Sequence, residues 1–299
     1  MKFGVREIAN VVFRAKSDVK IGSQTFKKGQ PVLYIDTAKT STLEGAATTV
    51  YAQGGRGNTR LIAWEGEKTL TFTVEDALIS PIGLSVLSGA GLIKGGDNQV
   101  HVHMTTMAYV SSEGTIDLSD ALSDNDAICT DAPLFVMELE DGSLTGVISA
   151  NATVNDQSIT VADMKDKEVM VDYYILKDAA KVSEIQIDAE NFAGYYYVEA
   201  DTLFRRQSDG VDLPANITLP NVKIQSNFTF SMASTGDPST FTFTMDAMPG
   251  YTYFDKKKKV LCVIQVVEDA EASDTVWSSV MDEEDYHENK ADAAAASLI

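Results

Sequence analysis

Residues 69–74 read Thr-Leu-Thr-Phe-Thr-Val, which sets Leu70, Phe72 and Val74 on one face and three threonines on the other. Alternation with period 2 in β-branched and aromatic residues fits a half-buried strand and excludes a helix over the same residues. Residues 227–232 repeat the pattern through Phe228, Phe230 and Met232, and residues 241–245 repeat it with Phe243 between their ends. Between these two runs lies Gly236-Asp237-Pro238. That is turn chemistry, so a hairpin is expected there. Residues 260–267 are apolar on both faces, which predicts a central or sandwiched strand. Residues 99–104, 134–139, 169–176 and 195–199 are further strand candidates. Short strands at near-regular spacing predict a mainly β fold, a sandwich or barrel-like domain.

One short helix interrupts the β pattern. Ser80 can cap it, Pro81 suits the first helical position, and residues 82–87 supply the turns. Gly89 and Gly91 stop it. Such a helix would flank the sheet and cover one of its faces.

The chain of 299 residues, 44% hydrophobic, can bury a sizeable core as one large β domain or two ordinary ones. No apolar run approaches the ~20 residues that span a bilayer, so no membrane anchor is expected. The first residues mix acid and base without a long apolar stretch, unlike a secretory signal. That points to synthesis in a cytoplasm. Two cysteines, Cys129 and Cys262, cannot staple a disulfide scaffold and are expected to be buried thiols.

A formal net charge of −20 argues against tight binding of a phosphate backbone, which needs clustered Lys and Arg. The charge is uneven. Residues 1–100 carry 12 basic and 9 acidic side chains, and residues 101–299 carry 12 basic and 35 acidic. Two different surfaces, suited to head-to-tail self-association, follow from that asymmetry; solubility alone is the plainer reading.

Two segments read as mobile. Residues 37–60 are rich in Thr, Ala and Gly and close on Gly54, Gly55, Arg56, Gly57, Asn58, Thr59 and Arg60. A connection so long is either functional or disordered. Residues 268–299 hold ten acids and one base and read as a flexible acidic tail. The β domain is therefore drawn over residues 1–267, with an acidic insertion or subdomain, or simply long hairpins, at about 105–165.

No motif commits the chain to catalysis. The glycines at 89–96 follow a helix instead of opening one, so they do not form a phosphate loop. His101 and His103 share a strand face, but no third ligand lies near in sequence, and a solvent-facing pair is expected. Asp124 and Asp126 lack the glycine and distal glutamate of a calcium loop. Neither cysteine has a histidine nearby in sequence, and no nucleophile elbow is present. Catalytic, metal-binding and cofactor-binding residues are accordingly expected to be absent. Tyr195, Tyr196 and Tyr197 alternate faces on a strand, which suits core and subunit contact. Lys256, Lys257, Lys258 and Lys259 form the only basic run, an exposed turn and a candidate contact to an acidic patch on a neighbouring subunit.

The stretch Arg60-Leu-Ile-Ala-Trp-Glu-Gly-Glu-Lys-Thr-Leu-Thr-Phe-Thr-Val-Glu-Asp-Ala-Leu, followed by the short helix, resembles the major tail tube proteins of long-tailed bacteriophages. Asp212-Leu-Pro-Ala-Asn-Ile-Thr-Leu-Pro-Asn-Val-Lys-Ile-Gln, followed by the Phe-Thr-Phe run, is similar to them as well. The likeness covers roughly residues 1–104 and 165–267 in organisation. Residues 105–165 and the acidic tail depart from it. The resemblance implies a β-sandwich with a flanking helix, closed into rings, commonly of six subunits, that stack into a hollow tube in the virion tail. It implies that the partners are other copies of the chain and other tail proteins such as sheath or baseplate. Double-stranded DNA would pass through an acidic lumen without specific binding. Gly54, Gly55, Arg56, Gly57, Asn58 and Arg60 would form the tip of a long hairpin that touches the next ring. The alternatives are a capsid decoration or baseplate protein, the tube of a bacterial injection machine, and a β-rich binding module.

Overall fold

A computed structural model describes residues 2–268, apart from residues 6, 8, 22–23, 90, 94–98, 124–125, 230–233 and 235–239. It is mainly β, with one α-helix, and divides into two compact units. The first comprises residues 1–91 and 187–299, and the second residues 92–186.

The first unit is built from β1 (Phe3–Val5), β2 (Asn10–Ala15), β3 (Val19–Ile21), β4 (Gln24–Phe26), β5 (Pro31–Ile35), β6 (Ala38–Gly54) and β7 (Thr59–Asp76), then α1 (Pro81–Ser88). The second unit opens on β8 (Gly91–Ile93), which pairs with β17 (Glu184–Gln186), and holds β9 (Gln99–Tyr109), β10 (Thr115–Asp117), β11 (Ala127–Ile128), β12 (Phe135–Glu140), β13 (Ser143–Ile148), β14 (Thr153–Asn155), β15 (Ser158–Thr160) and β16 (Glu168–Asp178). The chain then returns to the first unit through β18 (Tyr195–Arg206), β19 (Asp212–Ile224), β20 (Phe241–Ala247) and β21 (Val263–Val266).

A nine-stranded sheet in the order β5-β2-β18-β19-β20-β7-β6 forms the first unit, with β1 added to β18 and β21 added to β19. Its two ends, β5 and β6, are consecutive in the chain and separated only by Asp36 and Thr37. The three steps from Ile35 to Ala38 reach no more than ~11 Å, so the ends of the sheet lie close together and the sheet must curl on itself. The core agrees. Phe13 on β2 and Phe243 on β20 stand three strands apart, which is ~14 Å in a flat sheet. Their ring centroids are 5.9 Å apart. The barrel-like, sandwich-like architecture follows from that closure, and Phe13, Phe72 and Phe243 are buried inside it.

The helix forms where its sequence signals lie. The Ser80 hydroxyl accepts from Gly83 N–H at 2.9 Å, and Pro81 opens the helix. Gly89 closes it with φ of 76°, and a Cβ there would lie 2.2 Å from the Phe192 carbonyl carbon. Only glycine fits such a position. Leu84, Val86 and Leu87 are buried, so the helix flanks the sheet as an apolar cover.

Three strand expectations need correction. Residues 37–60 are not a structureless connection: residues 38–54 are β6, paired along its length with β7. Residues 227–229 are not a strand, and residues 230–232 lie outside the described residues. The strand before β20 is β19, which pairs with it through Val222, Lys223 and Ile224. Pro214 and Pro220 argue against a strand at β19, yet Pro220 falls where the register against β18 slips, between Tyr196 and Val198, and a bulge tolerates proline. Residues 260–267 do not form a central strand. β21 spans Val263–Val266, and among the described residues its one strand partner is β19. Ile264 on β21 and Val267 just beyond it are exposed among the described residues.

The second unit packs a five-stranded sheet, with β9 and β12 flanking β16, together with a three-stranded sheet, β10-β15-β14. Val169, Val171, Tyr173 and Ile175 alternate along β16 and are fully buried with Ile116, Ile159, Val161 and Met164. This unit thus has a hydrophobic core of its own. The expected acidic tail, apart from Glu268, lies outside the described residues.

Candidate functional site

The surface that stands out is the outer part of the β6–β7 hairpin. β7 pairs with β20 only from Thr71 to Asp76. Beyond that root, among the described residues, the two strands pair only with each other, over about 12 residues of β7, or ~40 Å at ~3.3 Å per residue. Nearly every residue of the outer arm is exposed, on both faces. Leu61 and Ala63 interleave with Ile62 and Trp64 there and blur the alternation in sequence.

The arm is not polar all round. Val50 stands opposite Trp64 and Ala52 opposite Ile62, which puts these four side chains on one face of the ribbon. Val50, Ile62 and Trp64 are 64%, 56% and 54% exposed. Leu61, at the register slip near the tip, is 65% exposed. A contiguous apolar strip on a protruding two-stranded ribbon is what an interface presents before its partner covers it.

Gly54, Gly55, Arg56, Gly57, Asn58 and Arg60 lie at the tip of this arm. Gly55, Gly57 and Asn58 turn the chain with φ of 78°, 89° and 49°, and Asn58 N–H donates to the Gly55 carbonyl at 3.2 Å. The Arg60 guanidinium sits 4.1 Å from the centroid of the Tyr51 ring, a diagonal contact across the ribbon near the tip. Among the described residues β6 pairs only with β7 and β21 only with β19, and such edges are further places where another chain could add a strand.

Lys256, Lys257, Lys258 and Lys259 occupy the turn closed by the bridge between Gly250 and Val260. Tyr253 anchors the turn on Tyr197, with ring centroids 4.3 Å apart. The Lys256 ammonium donates to the Thr252 carbonyl at 2.6 Å and lies 5.5 Å from the Tyr253 ring, and Lys259 lies 5.5 Å from the Tyr251 ring. Phe254, beside the run, is 97% exposed. The lysines and the arm tip thus lie on separate elements of the first unit.

Lys258 also borders an open groove of about 1340 Å³ in the first unit, rich in carboxylates: Glu7, Asp36, Glu199, Asp201 and Asp255. Two of these are tied down. Arg14 holds Glu199 at 2.8 Å, and Asn216 donates to Asp201 at 2.6 Å. Burial, then Asp36 and Asp201, push the Tyr34 hydroxyl's pKa up. The groove was not legible in the sequence, because it collects residues from β2, β5, β18, β19 and β21.

In the second unit the two histidines part company. His103 pairs with Asp172 at 2.8 Å. His101 instead meets Cys129 and Asp131, with one ligand atom from each residue lying within 4.8 Å of the others. Both histidines face solvent, as expected of the pair, and the groups beside His101 come from a segment distant in sequence. The register of β9 on β16 brings His101 opposite Leu176, and Cys129 is fixed to the same strand by its N–H to the Tyr174 carbonyl at 2.8 Å. Twenty-eight residues of chain separate the imidazole from the thiol, so sequence spacing carries no hint of the group. The Cys129 thiol donates to Asp131 Oδ1 at 3.1 Å. Burial and this carboxylate push the thiol's pKa up, while the thiol's hydrogen bond lowers that of Asp131. A thiol held protonated by a carboxylate is the reverse of an activated nucleophile.

Among the described residues no helix is long and apolar enough to cross a membrane. No curated protein matches the chain. A model of the YomU/Tube protein family matches residues 3–259. The match begins at β1, takes in the whole arm, runs through residues 105–165 and ends on Lys259. Over most of its length, and across both of its units, the chain belongs to the YomU/Tube protein family.

Proposed function

We propose that this chain is the subunit of the tail tube of a long-tailed bacteriophage, a virion structural protein and not an enzyme. Copies close into rings, commonly of six, and rings stack into a hollow conduit for the genome. The observation that carries this reading is the protruding β6–β7 arm with Val50, Ile62 and Trp64 exposed on one face, in a chain of a tube family. Within the isolated chain the arm buries little, and a two-stranded ribbon is at best marginally stable in water. A neighbouring subunit that covers the apolar strip supplies what the arm lacks.

In this account the tip, Gly54 to Arg60, reaches the next ring, and the lysine turn at 256–259 faces an acidic patch on another copy. The formal charge of −20 keeps DNA from adhering as it passes, since an acidic lumen repels phosphates over about a Debye length, ~8 Å at physiological salt. Sheath or baseplate proteins are the remaining partners. The test is negative-stain electron microscopy of the purified chain, with light scattering on the same sample. Rings or hollow rods are expected. A monodisperse monomer at every concentration and salt, including after addition of purified tail-tip complexes, contradicts the reading.

A further inference from the structure

We propose that His101, Cys129 and Asp131 form a binding site for a divalent transition-metal ion, with Zn²⁺ the best match to their donor set. The site lies in the second unit and is independent of the tube reading. It offers one imidazole nitrogen, one sulfur and one carboxylate oxygen, whose ligand atoms lie within 4.8 Å of one another. Tetrahedral Zn²⁺ takes N and O ligands at ~2.0–2.2 Å and S at ~2.3 Å, which spaces the ligand atoms ~3.3–3.6 Å apart. The Cys129 sulfur and Asp131 oxygen, at 3.1 Å, are already in contact and need only part slightly to reach that spacing. Small side-chain rotations therefore complete the set.

The backbone holds the ligands in place. His101 sits on β9, locked to β16 by an unbroken register from Gln99 to Tyr109. Cys129 follows β11, which pairs with the other edge of β16. The ion would thus tie together two segments that flank one strand. Cys129 is buried while His101 and Asp131 are exposed, so the sulfur lies at the base and the open side faces solvent. Three protein ligands and an accessible fourth position, filled by water, give a four-coordinate site. The neighbouring His103 is engaged by Asp172 and is not needed. On binding, the Cys129 S–H bond breaks, its proton leaves to solvent, and the sulfur lone pair forms the bond to the ion; His101 enters neutral.

Mixed N, S, O sites favour borderline ions over Mg²⁺ or Ca²⁺, which prefer all-oxygen shells. The experiment uses the full chain with any purification tag removed, stripped with chelator and titrated with Co²⁺ as the optical probe, followed by competition with Zn²⁺. One Co²⁺ per chain is expected, with a thiolate-to-cobalt charge-transfer band that one equivalent of Zn²⁺ abolishes. His101→Gln and Asp131→Asn change exposed residues and so test the site without disturbing the core. Each should weaken binding by at least the ~10–100-fold that loss of even an outer-shell partner costs. Cys129→Ser should remove the charge-transfer band, and Cys262→Ser should leave it intact. Absence of the band in the unaltered chain overturns the proposal. So does a band lost with Cys262→Ser, or an affinity unchanged in both His101→Gln and Asp131→Asn.

Discussion

The β6–β7 hairpin contains two regions of opposite character. At its root, residues 71–76 of β7 lie between β6 and β20, and Phe72 and Val74 are fully buried. In the outer arm the same two strands continue with the same pairing, yet Val50, Ile62 and Trp64 are more than half exposed. Both regions are apolar on one face. The root spends its apolar face on the fold of the chain. In the proposed tube the arm keeps it for a neighbouring subunit, so that one face serves stability and the other assembly.

The sharpest way to separate the two is to remove one aromatic from each. Phe72→Ala leaves a cavity inside the curled sheet and is expected to cost ~3–5 kcal/mol, read from urea unfolding. Trp64→Asp, on the arm, is expected to change unfolding by no more than ~0.5 kcal/mol but to suppress rings and rods by electron microscopy. If Trp64→Asp unfolds as readily as Phe72→Ala, the arm belongs to the fold and the distinction fails.

Acid should act on the body more than on the arm. Arg205 grips Asp212 through two bonds of 2.7 Å and lowers its pKa, and Lys167 lowers that of Glu138. A depressed carboxylate stabilises the fold above the ordinary carboxylate range, ~4, and that contribution is lost as pH falls through the lower folded value. The unfolding midpoint should therefore fall between pH 5 and ~pH 2. Asp212→Asn should flatten part of that dependence; an unchanged profile would remove the Arg205 pair from the account. These groups are exposed, so the effect is small. Smallest of all, Arg60→Ala removes a guanidinium from the Tyr51 face and is expected to cost ~0.5–1 kcal/mol, felt only near the tip as faster amide exchange.

The same contrast explains what could be read from the sequence. The root was legible because burial of one face writes period 2 into residues 69–74; residues 99–104, 134–139, 169–176 and 195–199 also read as strands, but β9 and β18 run on to Tyr109 and Arg206. The helix was legible because Ser80, Pro81 and Gly89 act locally. The arm was not, since Leu61 and Ala63 interleave with Ile62 and Trp64 and blur the alternation of its apolar face. Its Gly-rich tip signalled a turn, but the strands leading to it looked like a loop. Pro214 and Pro220 hid β19, because the bulge that accommodates a proline depends on the neighbouring strand. The apolar β21 read as a central strand although among the described residues it pairs only with β19, because apolar residues in sequence cannot tell a face covered by its own chain from one left exposed. The group at His101, Cys129 and Asp131 depends on the register of β9 and β11 across β16, which no linear motif encodes.

Hydrogen–deuterium exchange of the separated chain and of assembled particles, followed peptide by peptide along residues 38–76, tests the division of the hairpin most directly. The account predicts slow exchange at residues 71–76 in both states, and exchange over residues 46–68 that is fast in the separated chain and becomes slow on assembly. An arm that exchanges alike in the two states, whether slow or fast, would contradict its role as the assembly surface.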